Sequence, residues 1–143
     1  MRDEGRRTFI DTNILIYAHD RSAGAKHVVA RDLVRTLWDD GGGCLSIQVL
    51  QEFYVNITRK VPHPMTASEA AEVIADLAVW DVHSPNTDEV LDAIRLSQRY
   101  QLAFWDAMIL TSASALGCDA VWSEDLNASQ RYGSIVVENP FAR

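Results

Sequence analysis

The sequence predicts an α/β fold: a short central parallel β-sheet with helices on both faces. Two observations lead there. Short strand-like runs (TFI at 8–10, CLSI at 44–47, VWDVH at 79–83, AVW at 120–122, SIVVE at 134–138) alternate with longer segments of helical periodicity. Strands separated by helices are joined by crossovers, which makes them parallel and covers the sheet on either side. At 143 residues, 48% apolar and 23% charged, with no repeat, low-complexity tract or long linker, the chain is expected to form one domain over residues 1–143.

Each element has a local reason. TFI ends at Asp11, and Asn13 opens a short helix, NILIYAH. A polar turn from Asp20 to Gly24 leads to a helix over about 25–39, with Val28, Leu33, Val34 and Leu37 on one face and the glycines at 41–43 stopping it. Ser46 caps a helix over about 47–60, whose stripe is Val49, Leu50, Phe53, Tyr54 and Ile57. After the break PHPM, Thr66 and Glu69 form a capping box for a helix over about 67–77. Asn86-Thr87-Asp88 caps a helix running to about Tyr100, with Val90, Leu91, Ile94 and Leu96 apolar. The next helix is WDAMILTSASAL, with Asp106 near its start and Gly117 at its end.

Composition narrows the function. Thirteen Lys and Arg against 20 Asp and Glu leave a net charge of −7, unlike a general nucleic-acid binder, which is usually basic. Acids that bind a metal would have that charge cancelled, and the basic residues are mostly Arg, which suits bidentate phosphate contacts. No apolar run approaches the ~20 residues that span a membrane. The charged N-terminus, MRDEGRR, is not followed by the apolar stretch of a signal peptide, so a cytoplasmic location is expected. Cys44 and Cys118 read as reduced, core-lining thiols. The four histidines are scattered without ligand spacing, which argues against zinc.

Four acids stand out: Asp11 in FIDTN, Glu52 in SIQVLQEF, Asp106 in FWDAMIL and Asp125 in WSEDLN. Each follows or lies within apolar sequence, where an isolated carboxylate is costly unless compensated. Ligands of open parallel sheets bind beyond the C-terminal strand ends, and this topology allows all four acids to meet there. Converging carboxylates repel one another, and a hard divalent cation such as Mg²⁺ or Mn²⁺ removes the conflict. Phosphodiester hydrolysis is the natural chemistry of such a centre. Read locally, each acid also has a structural use: Asp11 as a helix cap, Glu52 as a solvated helix residue, Asp106 as an acid favoured by a helix dipole, Asp125 as a turn residue. Glu124 reads as a solvated acid.

At these residues the sequence resembles a known family. FIDTNILIYAHD, LSIQVLQEFYVNITRK and YQLAFWDAMILTSASALGCDAVWSEDL resemble the PIN-domain ribonucleases, and more narrowly the toxin of VapBC-type toxin–antitoxin modules, in block order and spacing from about Thr8 to Phe141. The resemblance implies a PIN-like α/β/α sandwich, a Mg²⁺- or Mn²⁺-binding acid cluster and endonucleolytic cleavage of RNA. By position, Asp11, Glu52 and Asp106 match the three central acids and Asp125 the more variable fourth. Asn13 and Ser123 match polar positions that support the site, with Ser123 standing where the family often has Thr. A homodimer and a small cognate antitoxin are also implied; an acidic pocket attracts a basic partner side chain.

Arg59 and Lys60, at the end of the Glu52 helix, and Arg95 and Arg99, one turn apart, are candidate phosphate contacts, against the plainer reading of a solvated helix face. The helix bearing Leu33, Val34, Leu37 and Trp38 reads as core packing or partner contact. An alternative function is an RNA- or partner-binding regulatory module whose acids hold metal only for structure. A phosphotransferase with Asp11 as nucleophile fits poorly. Asn13 stands where its second Asp is expected, and neither Lys26 nor Lys60 follows a later strand.

Overall fold

The computed structural model describes residues 5–142; Arg143 and the first four residues of the charged N-terminal stretch lie outside the described residues. Strands β1 (Thr8–Ile10), β2 (Gly43–Ser46), β3 (Asp81–His83), β4 (Ala120–Trp122), β5 (Arg131–Tyr132) and β6 (Ile135–Glu138) form one sheet in the order β3-β2-β1-β4-β6-β5. All neighbours are parallel except β5 and β6. Helices α1 (Thr12–His19) and α2 (Ala25–Asp40) link β1 to β2; α3 (Ile47–Arg59) and α4 (Ala67–Leu77) link β2 to β3; α5 (Thr87–Tyr100) and α6 (Phe104–Ala115) link β3 to β4.

The chain order determines where a site can form. From β1 the strands step outward to β2 and β3, and the chain then returns past β1 to β4. Right-handed crossovers in opposite directions place α1–α4 and α5–α6 on opposite faces. The packing agrees: α1 lies on α2 and α3, α3 lies on α4, and α5 lies on α6. The reversal between β1 and β4 opens a crevice beyond their C-terminal ends, where open α/β sheets bind ligands.

The central strands are buried on both faces, as their unbroken apolar character requires: every residue of β1 and β2 is buried. Phe9, Ile10, Leu45 and Val121 from the sheet join Ile14, Leu15, Phe53, Ile57, Ile109 and Leu110 from the helices in one core. Burial of each such side chain contributes roughly 1.5–3 kcal/mol. Cys44 and Cys118 are buried and unbridged.

Three expectations change. The strand read over 79–83 begins only at Asp81, because Val79 is 77% exposed in a turn. Trp80 packs edge-on to Trp38 at 5.3 Å and covers Gly43, where an added Cβ would meet its ring at 2.8 Å. The last strand begins at Ile135, because Ser134 sits with Gly133 (φ 64°) in the turn of a β5–β6 hairpin that had no sequence reading. Some expected stripe residues face outward: Val28 on α2, and Leu91 and Ile94 on α5, where Ala93 is the buried residue. On α2, Val34 and Leu37 are buried while Trp38 is half exposed. No helix among the described residues is long and apolar enough to cross a membrane.

Candidate active site

The four acids come from four separate elements. Asp11 follows β1 and caps α1, Glu52 lies midway along α3, Asp106 is in the first turn of α6, and Asp125 is in the loop after β4. All four line one cavity of about 280 Å³ at the β1–β4 crevice, together with Thr12, Asn13, Gln48, Asn56 and Trp105. Larger cavities exist. One of about 540 Å³ runs between α2 and α4 past Trp38, and one of about 390 Å³ lies between α5, α6 and the β5–β6 hairpin. Neither gathers comparable chemistry.

Asp11 is the deepest acid, at 6% exposure. Its backbone N–H donates to the Trp122 carbonyl at 2.9 Å, which extends the β1–β4 pairing by one residue and points the chain into the crevice. Oδ1 accepts the Thr12 N–H at 2.7 Å and Oδ2 accepts the Ser123 hydroxyl at 2.7 Å. Burial pushes its pKa up from the ordinary 3.8 to about 6; the two hydrogen bonds oppose this, and the charges of Asp125 and Asp106 add to it. Asp106 is likewise raised, by burial first and then by Asp125 and Glu52.

The surrounding polar groups hold the acids in place. The Thr12 hydroxyl donates to Glu52 Oε1 at 2.6 Å. Asn13 Nδ2 donates to Asp125 Oδ2 at 3.0 Å, and its Oδ1 accepts the Glu124 N–H at 3.3 Å. Ser123, fully buried, donates to Asp11 and accepts the N–H groups of Asp125 at 3.1 Å and Leu126 at 3.3 Å. One hydroxyl therefore joins the deepest acid to the loop that carries the fourth. Glu124 is not the solvated acid its sequence suggests: Tyr17 donates to it at 2.7 Å and Lys26 pairs with it, tying the same loop to α1 and α2.

Thr12, Gln48, Asn56 and Trp105 border the cavity without having been singled out in the sequence. A signal existed for two of them: Gln48 and Asn56 flank Glu52 at four-residue spacing, which puts all three on one helix face. Arg59 and Lys60 are exposed at the end of that helix, beyond Asn56. Arg95 is exposed and paired with Asp92 at 2.8 Å, and Arg99 borders the separate cavity beside the β5–β6 hairpin. The structure thus brings together the acids, Asn13 and Ser123, and leaves Arg95 and Arg99 away from them.

The donors lining the cavity are carboxylates, amides and hydroxyls, the oxygen set of a hard cation rather than the nitrogen and sulfur set of zinc. No three His, Cys, Asp or Glu side chains among the described residues form a tight cage. Mg²⁺ does not require one: it keeps several waters and is held through one or two carboxylates. The cavity far exceeds the ~10–15 Å³ that one water needs. The residues present therefore fit a hydrated Mg²⁺ or Mn²⁺.

A comparison with curated proteins finds no match. Solved structures of similar fold include VapC20 from Mycobacterium tuberculosis, a sarcin-ricin loop cleaving toxin, with a TM-score of 0.64 and 22% identity over 82% of this chain and 89% of that one. A toxin–antitoxin complex from Klebsiella pneumoniae has a TM-score of 0.67 and 19% identity over 94% of this chain and 98% of that chain. VapBC2 from Rickettsia felis, bound to a DNA fragment from its promoter, has a TM-score of 0.63 and 14% identity over 92% of this chain and 97% of that chain. Residues 8–133 match the PIN domain. That match spans most of the 143 residues, and the chain belongs to the PIN domain family.

Proposed function

We propose that this chain is a divalent-metal-dependent endoribonuclease and the toxin of a type II toxin–antitoxin pair. The observation that carries the reading is the meeting of Asp11, Glu52, Asp106 and Asp125, from four separate stretches of sequence, around one cavity at the crevice of a PIN fold. Asp11, Glu52 and Asp106 are the principal ligands of Mg²⁺ or Mn²⁺, and Asp125 is the fourth. The bound cation supplies charge neutralisation, polarisation of the phosphate and activation of water.

The chain's own part is placement. Thr12 fixes Glu52 through its hydroxyl and Asp11 through its backbone N–H, so two acids share one short anchor. Ser123 keeps a lone pair of Asp11 occupied and sets the loop so that Asn13 can hold Asp125. Carboxylates held in advance need little reorganisation when positive charge arrives. Arg59 and Lys60 contact RNA phosphates beyond the acids. The partners are the RNA substrate, a small cognate antitoxin and a second copy of the chain, in the cytoplasm.

Controlled expression in a bacterial host tests this. Growth arrest and loss of intact RNA with the natural chain, both abolished by Asp11→Asn at equal protein level, would support the toxin reading. Arrest that persists undiminished with Asp11→Asn would contradict it.

A further inference from the structure

We propose that Trp105 is an aromatic platform that stacks an unpaired base of the RNA beside the carboxylates, with Gln48 as the residue that positions it; this rests on the nuclease reading. Trp105 is the second residue of α6, immediately before Asp106, and is 61% exposed while bordering the acid cavity. A lone exposed indole is ordinary on a protein surface, but here one neighbour packs against the ring and another anchors the main chain that carries it. Phe104 packs edge-on to it at 5.0 Å and 71°. Gln48, across the cavity on α3, donates its Nε2 to the Trp105 carbonyl at 3.2 Å and lies 3.5 Å from Glu52 Oε2.

The amide of Gln48 can face only one way. Turned over, its oxygen would oppose both the Trp105 carbonyl and the Glu52 carboxylate. In the orientation it holds, Oε1 is buried with no hydrogen-bond partner among the described residues. The two donor contacts fix the amide in this orientation although its oxygen finds no partner there. What this amide strap ties to Glu52 is the main chain at Trp105, from which the indole projects.

The chemistry selects the occupant. An indole face at the edge of a phosphate-cutting centre offers stacking to any base whose own face is free, and a base inside a duplex has none to offer. Gln48, Glu52 and Asn56 recur every fourth residue along α3, Lys60 follows at the same spacing as the residue that caps the helix, and together they form a polar track leading away from Trp105. A single strand lying on that track places a base on Trp105, a phosphate by the acids and the next phosphates toward Lys60.

The test uses a fluorescent, unstructured oligoribonucleotide and a set of copies, each carrying one abasic position. Affinity is measured by anisotropy in chelator, and kcat and KM with Mg²⁺, for the natural chain, Trp105→Phe, Trp105→Leu and Gln48→Leu. The expected result is an affinity loss on the order of tenfold for Trp105→Leu, a smaller loss for Trp105→Phe, and a change that falls mainly in KM. One abasic position should weaken binding to the natural chain but not to Trp105→Leu, the non-additivity of two partners in contact. Gln48→Leu should reduce the effect of that same position.

Unchanged affinity in Trp105→Leu, equal abasic sensitivity in both proteins, or no binding by the natural chain would overturn the proposal. If the natural chain binds with the expected pattern yet cuts nothing, the platform stands and the nuclease reading falls.

Discussion

Replacing Asp11 with Asn should stabilise the metal-free protein at neutral pH. Asp11 is buried, and its pKa is pushed up from 3.8 to about 6. Keeping that carboxylate ionised in the folded state costs roughly 3 kcal/mol above that pH. Asn removes the charge but not without loss. Its single oxygen can accept the Thr12 N–H, while its amide nitrogen then faces Ser123 and leaves that hydroxyl's proton unpaired, a loss of about 1–1.5 kcal/mol. The net gain is about 1.5–2 kcal/mol, or roughly 3–8 °C in Tm for a chain of this size. The sign follows from linkage. A carboxyl whose folded pKa is raised destabilises the fold fully above about 6 and not at all well below 3.8, so the advantage of Asp11→Asn should be full at pH 7.5 and gone near pH 4. Saturating Mg²⁺ should reverse the order, because a ligand that binds only the folded state stabilises the better binder. Thermal melts of both proteins at the two pH values, with chelator and with Mg²⁺, provide the assay. An Asp11→Asn protein that melts several degrees below the natural one in chelator at pH 7.5 would show that Asp11 is foremost a helix cap, and would refute the reasoning.

Other substitutions separate roles within the site. Glu52→Gln and Asp106→Asn should each lose about 100-fold or more of the cleavage rate, on the scale of losing one charged stabiliser, with near-normal melting; a collapse in Tm would instead assign them to the fold. Asp125→Asn should be milder, and inactivity equal to that of Asp106→Asn would overturn the ranking of the ligands. Ser123→Ala strands two backbone N–H groups and one oxygen of Asp11, and should lower unfolding free energy by about 2–3 kcal/mol in denaturant titration; a loss under about 0.5 kcal/mol would remove its joining role. RNA affinity should fall as salt rises, and Arg59→Gln with Lys60→Gln should flatten the slope by about 1 for each phosphate no longer neutralised; an unchanged slope would take both residues out of the RNA path.

The fold was legible where local chemistry and global structure agree. The helix at Ala67–Leu77 ends where the Thr66–Glu69 capping box and the apolar run place it, because the cap satisfies its own N–H groups. TFI is a short, buried strand and AVW a strand, as read, with Trp122 half-buried at the end of the latter. Val79 and Trp80 misled because an apolar pair beside a strand looks like more strand, and only the packing of Trp80 over Gly43 reveals a turn. The two residues of β5 are too few to carry a pattern; their pairing with β6 through the Gly133 turn makes them a strand.

Within the site, the local and the functional readings of Asp11 describe the same atom set. It caps α1 and faces the cavity, because a strand end that turns into a helix leaves its cap residue beyond the sheet edge. The anchors were harder to see. Thr12 bonds to Glu52 40 positions away, and Ser123 to Asp11 112 positions away. Glu124 is held by Tyr17 and Lys26 from the far end of the chain. Contacts of that range exist only once the sheet has brought β1 beside β2 on one side and β4 on the other.

The most direct measurement is cleavage of a mixed cellular RNA pool by purified, antitoxin-free protein, with Mg²⁺, with Mn²⁺ and with chelator, beside an identically prepared Asp11→Asn protein. A nuclease built on the four acids predicts discrete fragments that need the metal and are missing from the Asp11→Asn lane. Fragments of equal intensity from both proteins, or cleavage that continues in chelator, would contradict it.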